Sequence, residues 1–220
     1  MPSMIAMARS SKRAKISICV PCRDSVHSGF AYDLARLMQL STQLDISAQL
    51  HFNCGTIITN LREALLREAV AAGSSHLLWL DSDMMFPPDT LERLLAHQLP
   101  VVAANYATRT SPHKTVAYTD ITDWTSYLIH AADDPALIEV QAVGMGCMLV
   151  DLSVVEDLPS PVFELLWQPD SQDHLGEDFV FCAKLRAQGN AIMIDTALSR
   201  DLLHLGTKAF GHSVVKPGLL

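Results

Sequence analysis

The sequence predicts an α/β protein with a mostly parallel, Rossmann-like central sheet and helices on both of its faces. Short apolar runs of strand length alternate with segments whose apolar residues recur at helical spacing. The predicted elements are strand 15–21, helix 30–40, strand 46–52, helix 60–73, strand 77–80, helix 89–95 and strand 101–105. This alternation is typical of a parallel sheet, because parallel neighbours are joined by crossover helices.

Each early element has its own signal. Residues 15–21 form a short apolar run of the kind found in buried strands, and residues 46–52 alternate between apolar and mixed positions. The spacing of Phe30, Leu34 and Leu37 indicates a helix between these two strands.

The second predicted helix, residues 60–73, begins with a capping-box pattern. Asn60 stands three residues before Glu63, so each side chain could bond the backbone N–H near the other. Leu61, Leu65 and Ala69 then line one face, and Gly73 ends the segment.

The C-terminal half is predicted in less detail. Residues 106–137 are polar and rich in turn residues, which indicates a peripheral hairpin or loop insertion. The segment 139–151 has the pattern of a long strand interrupted by glycines, where a bulge or the close approach of a substrate would need no side chain. The remaining predictions are a loop over 159–169, a helix over 176–188, a strand over 191–195 and a tail with two histidines, His204 and His212.

Composition limits the classes of function. The net charge of −8 argues against nucleic-acid binding through a broad basic surface, so an anionic substrate would need a metal or a few placed cations. No apolar segment reaches the length of a membrane span. We therefore expect a flexible leader over 1–14, a single catalytic domain over 15–220 whose C-terminal tail covers the site, and a cytoplasmic location.

Five cysteines fit that compartment. Cys19 and Cys22 have the spacing of a redox or zinc motif, but Cys19 lies inside an apolar strand and no second close pair accompanies them. Reduced thiols that serve mainly as small apolar side chains are the simpler interpretation.

The most informative motif is a pair of carboxylates at the end of the apolar strand 77–80. Asp81 and Asp83 are spaced so that an extended chain would direct both to one side, where they could hold a hard divalent cation. In a doubly wound sheet, ligands bind at the carboxyl ends of the strands. Asp24 and Asn105 are predicted to emerge at the same edge, so the motif suggests phosphate-ester or sugar-nucleotide chemistry.

Taken in order, these segments resemble the GT-A fold glycosyltransferases, particularly family-2-like enzymes, over residues 15–205. The sequence Trp79-Leu-Asp-Ser-Asp83 is also similar to a pattern of certain fungal mannosyltransferases. The resemblance implies a transferase that moves a sugar from a nucleotide-diphosphate donor, a UDP- or GDP-sugar, to an undefined acceptor hydroxyl, with inversion preferred.

The resemblance also implies roles for individual residues. Donor-binding residues are Pro21, Arg23 and Asp24 after the first strand, Asn60 and Arg62 at the start of the second helix, and Asp81. Metal ligands are Asp83, His204 and also Asp81, and Asp178 or Glu177 is the general base. The strand that contains Gly144 and Gly146 borders the acceptor.

The ligand types indicate which metal would bind. An aspartate and a histidine suit Mn²⁺, whereas a shell made only of oxygen atoms would favour Mg²⁺. The cation would stabilise the negative charge that develops on the leaving diphosphate.

Several alternatives stay open at this level. Asn60 could be only a helix cap, Glu177 and Asp178 would stabilise any helix start, and Trp167 could stack on a sugar or simply pack. A nucleotidyltransferase acting on a sugar phosphate is the alternative enzyme class. However, residues 21–29 contain only one glycine and one arginine, not a glycine-rich basic signature. A nucleotide-sugar-binding module without activity is the third hypothesis.

Overall fold

The computed structural model describes residues 14–206 and 209–212, and only the backbone of residues 209 and 210. Its α-helices are α1 Ser28–Gln43, α2 Ile58–Ala71, α3 Thr90–Ala96, α4 Glu177–Ala187 and α5 Thr196–Asp201. Its strands are β1 Lys15–Cys22, β2 Ser47–Cys54, β3 His76–Leu80, β4 Met84–Met85, β5 Val101–Ala103, β6 Ala117–Tyr118, β7 Leu137–Val140, β8 Ala142–Val143, β9 Cys147–Asp151, β10 Leu166–Gln168, β11 Asp173–Leu175, β12 Ile192–Asp195, β13 Leu203–Leu205 and β14 Ala209–Phe210. Residues 1–13 of the predicted leader, and residues 213–220 of the predicted tail, lie outside the described residues.

Seven strands form the central sheet, in the order β2-β1-β3-β9-β5-β12-β7. β2, β1, β3, β5 and β12 run in one direction, while β9 and β7 run against their neighbours. The predicted α/β class with a mostly parallel, Rossmann-like sheet is therefore confirmed. The long strand predicted over 139–151 is wrong in detail, because this segment forms β7, β8 and β9, and β9 is inserted antiparallel between β3 and β5.

Helices cover both faces of the sheet, as the alternation of buried residues along β3 shows. Leu77 and Trp79 pack in one apolar cluster with residues of α2 and α4. Leu78 and Leu80 point the other way and pack with residues of α1, α3 and α5. All four β3 side chains are almost fully buried, which explains why this strand is a continuous apolar run.

Shorter strands are added at the edge where the parallel strands end. β13 pairs with β4 and β14, and β10 pairs with β11 in a hairpin, so part of the loop predicted over 159–169 is a strand. β6 is the one strand of the described residues 106–136, and it pairs with β8, which lies beyond the polar segment 106–137. Within that segment, Tyr118 and Tyr127 form an isolated antiparallel bridge. Within the described residues, no helix is both long enough and apolar enough to cross a membrane.

The start of α2 differs from its prediction. The helix begins at Ile58 after Ile57, whose side chain makes no capping bond, so Asn60 lies in the first turn and is exposed. Glu63 instead accepts a hydrogen bond from the backbone N–H of Phe163, at 2.9 Å between N and Oε1. The capping-box prediction is wrong because a distant loop uses the carboxylate that would have closed the box.

Four of the five cysteines are buried, and Cys54 is exposed. All five are free, and burial raises the pKa of the Cys19 thiol to about 12. Cys22 lies beside Cys54 of the neighbouring strand, with 3.1 Å between the two sulfur atoms, and not beside Cys19. Residues three apart on a strand point to opposite faces, so Cys19 and Cys22 do not form a joint site.

Gly144 and Gly146 make room for the buried side chain of Tyr106. A Cβ on Gly144 would lie 2.6 Å from the Tyr106 hydroxyl oxygen, and one on Gly146 would lie 2.7 Å from Cζ of the same ring. The Gly146 N–H also donates a hydrogen bond to that hydroxyl, at 3.1 Å. These contacts give both glycines a packing reason that is independent of any substrate.

Gly146→Ala is expected to lower the free energy of unfolding by about 1–3 kcal/mol, because the new methyl group overlaps a buried ring that has no free space. Urea unfolding followed by circular dichroism measures the change. Gly55→Ala is the matched control, since its Cβ would meet the flexible end of Leu61 at 3.1 Å. Equal losses in the two variants would contradict the packing role of Tyr106.

Candidate active site

A cavity of about 560 Å³ lies at the carboxyl ends of β1 and β3, beside the first turns of α2 and α4. We call it the acidic cavity. Its lining includes Pro21, Cys22, Arg23, Gly55, Thr56, Ile58, Leu61, Arg62, Asp81, Ser82, Asp83, Arg109, Glu177, Asp178 and His204. Eight of the predicted site residues are in this set: Pro21, Arg23, Arg62, Asp81, Asp83, Glu177, Asp178 and His204.

Two predicted donor-binding residues are not part of this lining. Asp24 is exposed after β1, and Asn60 is exposed on the first turn of α2. Asn105, predicted at the same edge, is buried and structural. Its amide donates to the Leu128 carbonyl at 2.9 Å, and its oxygen accepts from the Ala117 N–H at 3.0 Å.

The buried side chain of Arg62 links three elements that line the acidic cavity: α2, the turn after β3 and the start of α4. It is 3% exposed, its Nη2 donates to Oδ1 of Asp81 and its Nε donates to Oε1 of Glu177, each at 3.1 Å. Its guanidinium also lies over the Trp79 ring, 5.2 Å from the ring centroid. Burial lowers the pKa of Arg62, but the carboxylates of Asp81 and Glu177 more than offset this, so the pKa is raised.

The arrangement separates the roles of the two aspartates. Asp81 is turned toward Arg62, and burial raises the pKa of its carboxyl despite that cation. Metal binding by Asp81 would compete with this ion pair, and it stays a prediction. The simple expectation that alternation directs both carboxylates to one cation does not describe the geometry, because Asp83 follows a turn and faces other partners.

Asp83 faces His204 and Arg109. Its Oδ2 lies 3.5 Å from Nε2 of His204 and 2.8 Å from Nη1 of Arg109. β13 fixes the histidine, since the Leu205 N–H donates to the Asp83 carbonyl at 2.7 Å. Burial raises the pKa of the Asp83 carboxyl, but His204 and Arg109 outweigh this and the pKa is lowered.

The tautomer of His204 follows from its second contact. Nδ1 lies 3.0 Å from the Ala107 carbonyl oxygen, which can only accept, so Nδ1 carries a proton. In the neutral ring this leaves the lone pair of Nε2 directed toward Asp83. A histidine held in this way by a backbone carbonyl is oriented as metal-binding histidines are.

Asp83 and His204 lie close to each other, but the described residues do not provide a complete set of metal ligands. Among residues 14–206 and 209–212, no group of three or more His, Cys, Asp or Glu side chains is arranged to hold a metal ion. Asp83 and His204 are nevertheless spaced close to the roughly 3 Å that separates adjacent ligands of one small divalent cation. The pair would fit a cation whose other ligands come from a bound phosphate ester and water. Binding of that cation to Oδ2 of Asp83 would compete with the ion pair to Arg109, just as binding to Asp81 would compete with Arg62.

Asp178 differs from its neighbour Glu177 in both contacts and ionisation. Its Oδ1 accepts a hydrogen bond from the Phe179 N–H at 2.8 Å at the start of α4, whereas Glu177 is held in the ion pair with Arg62. Burial and then the negative charge of Glu177 raise the pKa of Asp178 to about 7. A carboxylate with this pKa can accept a proton near neutral pH, as a general base requires.

Asp178 also borders a second cavity, of about 520 Å³, which we call the aromatic cavity. Its lining consists of Thr108, Thr115, Val116, Tyr118, Trp124, Gln168, Ser171, Asp173, His174, Gly176, Asp178 and Phe179. Asp178 is therefore the carboxylate that both cavities share. Trp167, a predicted candidate for sugar stacking, is 55% exposed and is not in this lining, although its ring packs edge-on against His174, which is.

Sequence reasoning missed two residues of the site. Arg109, which pairs with Asp83 and also donates to the Leu205 carbonyl at 3.0 Å, lies in the segment without periodicity. Tyr106 packs edge-on against the His204 ring, with 5.2 Å between the centroids. The one signal available was position, since both residues directly follow strand β5, whose carboxyl end lies at the edge of the sheet where ligands bind.

The fold and the cavity define an α/β protein with acidic and cationic groups at the carboxyl ends of parallel strands. No protein-family model matches the sequence, and no curated protein is similar to it. Among solved structures, the chain is similar to A197 from STIV, with a TM-score of 0.59 and 17% identity over 90% of this chain and 91% of that one. This similarity shows a shared fold.

A second solved structure is a glycosyltransferase involved in the glycosylation of the major capsid of PBCV-1. Its TM-score is 0.35, with 11% identity over 64% of this chain and 62% of that one. A similarity this low says nothing about the function of this chain, so the proposal of a function rests on the side chains of the site.

Proposed function

We propose that this chain is a metal-dependent glycosyltransferase of the GT-A type, which transfers a sugar from a UDP- or GDP-sugar to an acceptor hydroxyl with inversion. The observation that carries the proposal is the composition of the acidic cavity. One cavity contains a ligand pair, Asp83 and His204, and a carboxyl group of Asp178 with a pKa of about 7. These are the two kinds of group that sugar transfer from a diphosphate needs.

The ligand pair serves the leaving group. Asp83 and His204 would hold Mn²⁺ or Mg²⁺, and such a cation supplies Lewis-acid stabilisation of the negative charge on the departing diphosphate. Arg109 adds a guanidinium 2.8 Å from the same carboxylate, so it can bind a phosphate oxygen at this end of the cavity. The positive charge of Arg109 and of the cation would allow an anionic donor to bind although the net charge of the protein is −8.

Asp178 serves the acceptor. In its ionised form it takes the proton of the acceptor hydroxyl as the oxygen attacks the anomeric carbon, and the bond from that carbon to the diphosphate oxygen breaks. Because Asp178 borders both cavities, an acceptor in the aromatic cavity and a donor in the acidic cavity can reach the same carboxylate. Arg62 keeps Glu177 and Asp81 in place beneath the donor.

The test of the proposal is a donor panel. UDP-, GDP- and dTDP-sugars are titrated by calorimetry with Mn²⁺ and with a chelator, and release of the nucleoside diphosphate is followed over hours. We expect one nucleotide to bind only with the metal and to be hydrolysed slowly without an acceptor. Absence of Mn²⁺-dependent binding for every donor would exclude the proposal, and binding without turnover under any condition would favour the non-catalytic module.

Asp83→Asn is expected to weaken Mn²⁺-dependent donor binding at least about tenfold, because the amide loses the negative charge that binds the cation. Calorimetric titration of the preferred donor in Mn²⁺ measures the effect. Asp24→Asn is the matched control, since Asp24 is an exposed aspartate outside the cavity lining and its replacement should leave binding unchanged. Equal affinities in the wild type and Asp83→Asn would exclude Asp83 as the ligand.

A further inference from the structure

Three aromatic rings give the aromatic cavity a fixed flat wall. Trp124 lies parallel to Phe179, with an interplanar angle of 9° and 5.8 Å between the ring centroids. Tyr118 packs its edge against both rings, at 5.4 Å from each centroid. Trp124 nevertheless remains 40% exposed, so part of a large apolar ring with a defined orientation is open to a ligand.

The loop that carries Trp124 is held by local hydrogen bonds. Oδ1 of Asp120 accepts bonds from the backbone and hydroxyl of Thr122, and Oδ1 of Asp123 does the same for Thr125. The hydroxyl of Ser126 closes the loop by donating to the Asp120 carbonyl at 2.7 Å. A ring fixed in this way loses little conformational entropy when a ligand packs on it.

The polar part of the aromatic cavity is formed by amide, hydroxyl, imidazole and carboxylate groups. Gln168, Ser171, Asp173 and His174 supply hydrogen-bonding groups from the β10–β11 hairpin and its turn. Of the described residues that line this cavity, none is Lys or Arg, whereas Asp173 and Asp178 are acidic. Lys114 lies outside the lining, with its Nζ 3.4 Å from the Trp124 carbonyl oxygen. A phosphate or carboxylate group inside the cavity would therefore meet two acids without a Lys or Arg of the lining to pair with.

An aromatic plane beside uncharged and acidic hydrogen-bonding groups suits one class of small molecule. A sugar ring presents an apolar C–H face, which packs on an aromatic ring, and a rim of hydroxyl groups, which bond to amide, hydroxyl and carboxylate oxygens. The cavity volume of about 520 Å³ lies within the range of roughly 300–1,000 Å³ that small-molecule sites occupy.

We infer that the aromatic cavity is the acceptor site, and that the acceptor is a neutral saccharide whose ring packs on Trp124. This inference rests on the proposed function, since it identifies the molecule whose hydroxyl reaches Asp178. It assigns Trp124 as a binding residue. The two acids of the lining, with no Lys or Arg among the described lining residues, are then the reason why phosphorylated acceptors are rejected.

The test has one arm without a donor and one arm with it. Methyl glycosides of glucose, galactose, mannose and N-acetylglucosamine are the neutral probes, and glucose 1-phosphate and methyl glucuronide are the anionic probes. Saturation-transfer NMR measures binding without donor, and acceleration of nucleoside diphosphate release measures transfer. We expect at least one neutral glycoside to bind and to accelerate release, and the anionic probes to do neither.

Trp124→Ala should weaken binding of that glycoside about tenfold and raise its KM in transfer. Tyr32→Ala is the control, because Tyr32 is a 64% exposed aromatic residue of α1 outside the cavity lining, and it should change affinity less than twofold. Trp124→Phe keeps a smaller ring and should give an intermediate affinity. A graded loss from Trp to Phe to Ala indicates loss of the ring contact, whereas misfolding would affect the alanine variant alone.

Two results would overturn the inference. The first is binding of none of the neutral glycosides, or tighter binding of an anionic probe, and the second is an equal loss in Trp124→Ala and Tyr32→Ala. If donor hydrolysis persists in either case, the acceptor assignment alone has failed. If glycoside binding depends on Trp124 but no donor binds with Mn²⁺, the saccharide site stands and the proposed transferase function has failed.

Discussion

Asp178→Asn is expected to slow sugar transfer by about 10²–10⁴-fold while leaving Mn²⁺-dependent donor binding unchanged. The amide keeps the size of the side chain but cannot accept the acceptor proton, and general-base catalysis contributes this magnitude. In the wild type, transfer should increase as the pH rises through about 7, because burial and Glu177 raise the pKa of Asp178 to about 7 and only the ionised form is a base. The variant should lack this step in its pH–rate profile.

The same substitution should stabilise the protein above neutral pH. The pKa of Asp178 is about 7 in the folded chain, above the ordinary value of about 3.9 in an unfolded one, so folding favours the protonated form. The stability that this group contributes is complete below about pH 4 and is lost as the pH rises through 7. Asparagine stays neutral, and we expect a gain of up to about 4 kcal/mol at pH 8 and a smaller gain at pH 5, measured by urea unfolding.

Glu177→Gln separates the two acids at the start of α4. Glu177 is paired with Arg62, so its loss should lower the free energy of unfolding at pH 8, where Asp178→Asn should raise it. Full transfer by Asp178→Asn together with loss of transfer in Glu177→Gln would move the role of base to Glu177. Loss of transfer in both variants, with opposite effects on stability, would keep Asp178 as the base and Glu177 as a positioning residue.

Much of the fold could be predicted because its elements have local signals. The apolar runs of β1, β3 and β5 and the helical spacing in α1 and α2 place these elements within a few residues of their bounds in the structure. Strand direction has no such signal. β9 is buried on both faces, and its apolar run would look the same in a parallel or an antiparallel neighbour, so its insertion between β3 and β5 could not be foreseen.

The residues of the candidate site that lie at the ends of strands could be predicted from the sequence. Asp83 and His204 are far apart in sequence, and the structure brings them together because β13 pairs with β4 directly after the Asp81–Asp83 turn. Partners within loops were not predictable. Arg109 and Trp124 lie between residues 106 and 137, where turn residues set the backbone and no periodicity indicates which side chains face a cavity.

The largest loss of stability is expected from Arg62→Met, which should lower the free energy of unfolding by about 3–5 kcal/mol at pH 7. Methionine preserves most of the apolar volume over Trp79 but removes the cation that Asp81 and Glu177 share. Two carboxylates would then remain beside each other without a partner, at a site where burial already raises the pKa of Asp81. Urea unfolding at several pH values measures the effect, which should shrink as the pH falls and the carboxylates become protonated.

Two further variants show whether charge, rather than packing, causes this loss. The triple variant Arg62→Met, Asp81→Asn, Glu177→Gln contains no buried charge at these positions and should regain a large part of the stability, because removing a whole buried ion cluster costs less than removing one member. Arg62→Lys keeps the charge but cannot donate from two separate nitrogen atoms to Asp81 and Glu177, so it should fall between the wild type and Arg62→Met. If the triple variant is as unstable as Arg62→Met, the guanidinium acts mainly through its packing on Trp79. The ion pairs of Arg62 with Asp81 and Glu177 would then not be the cause of the loss.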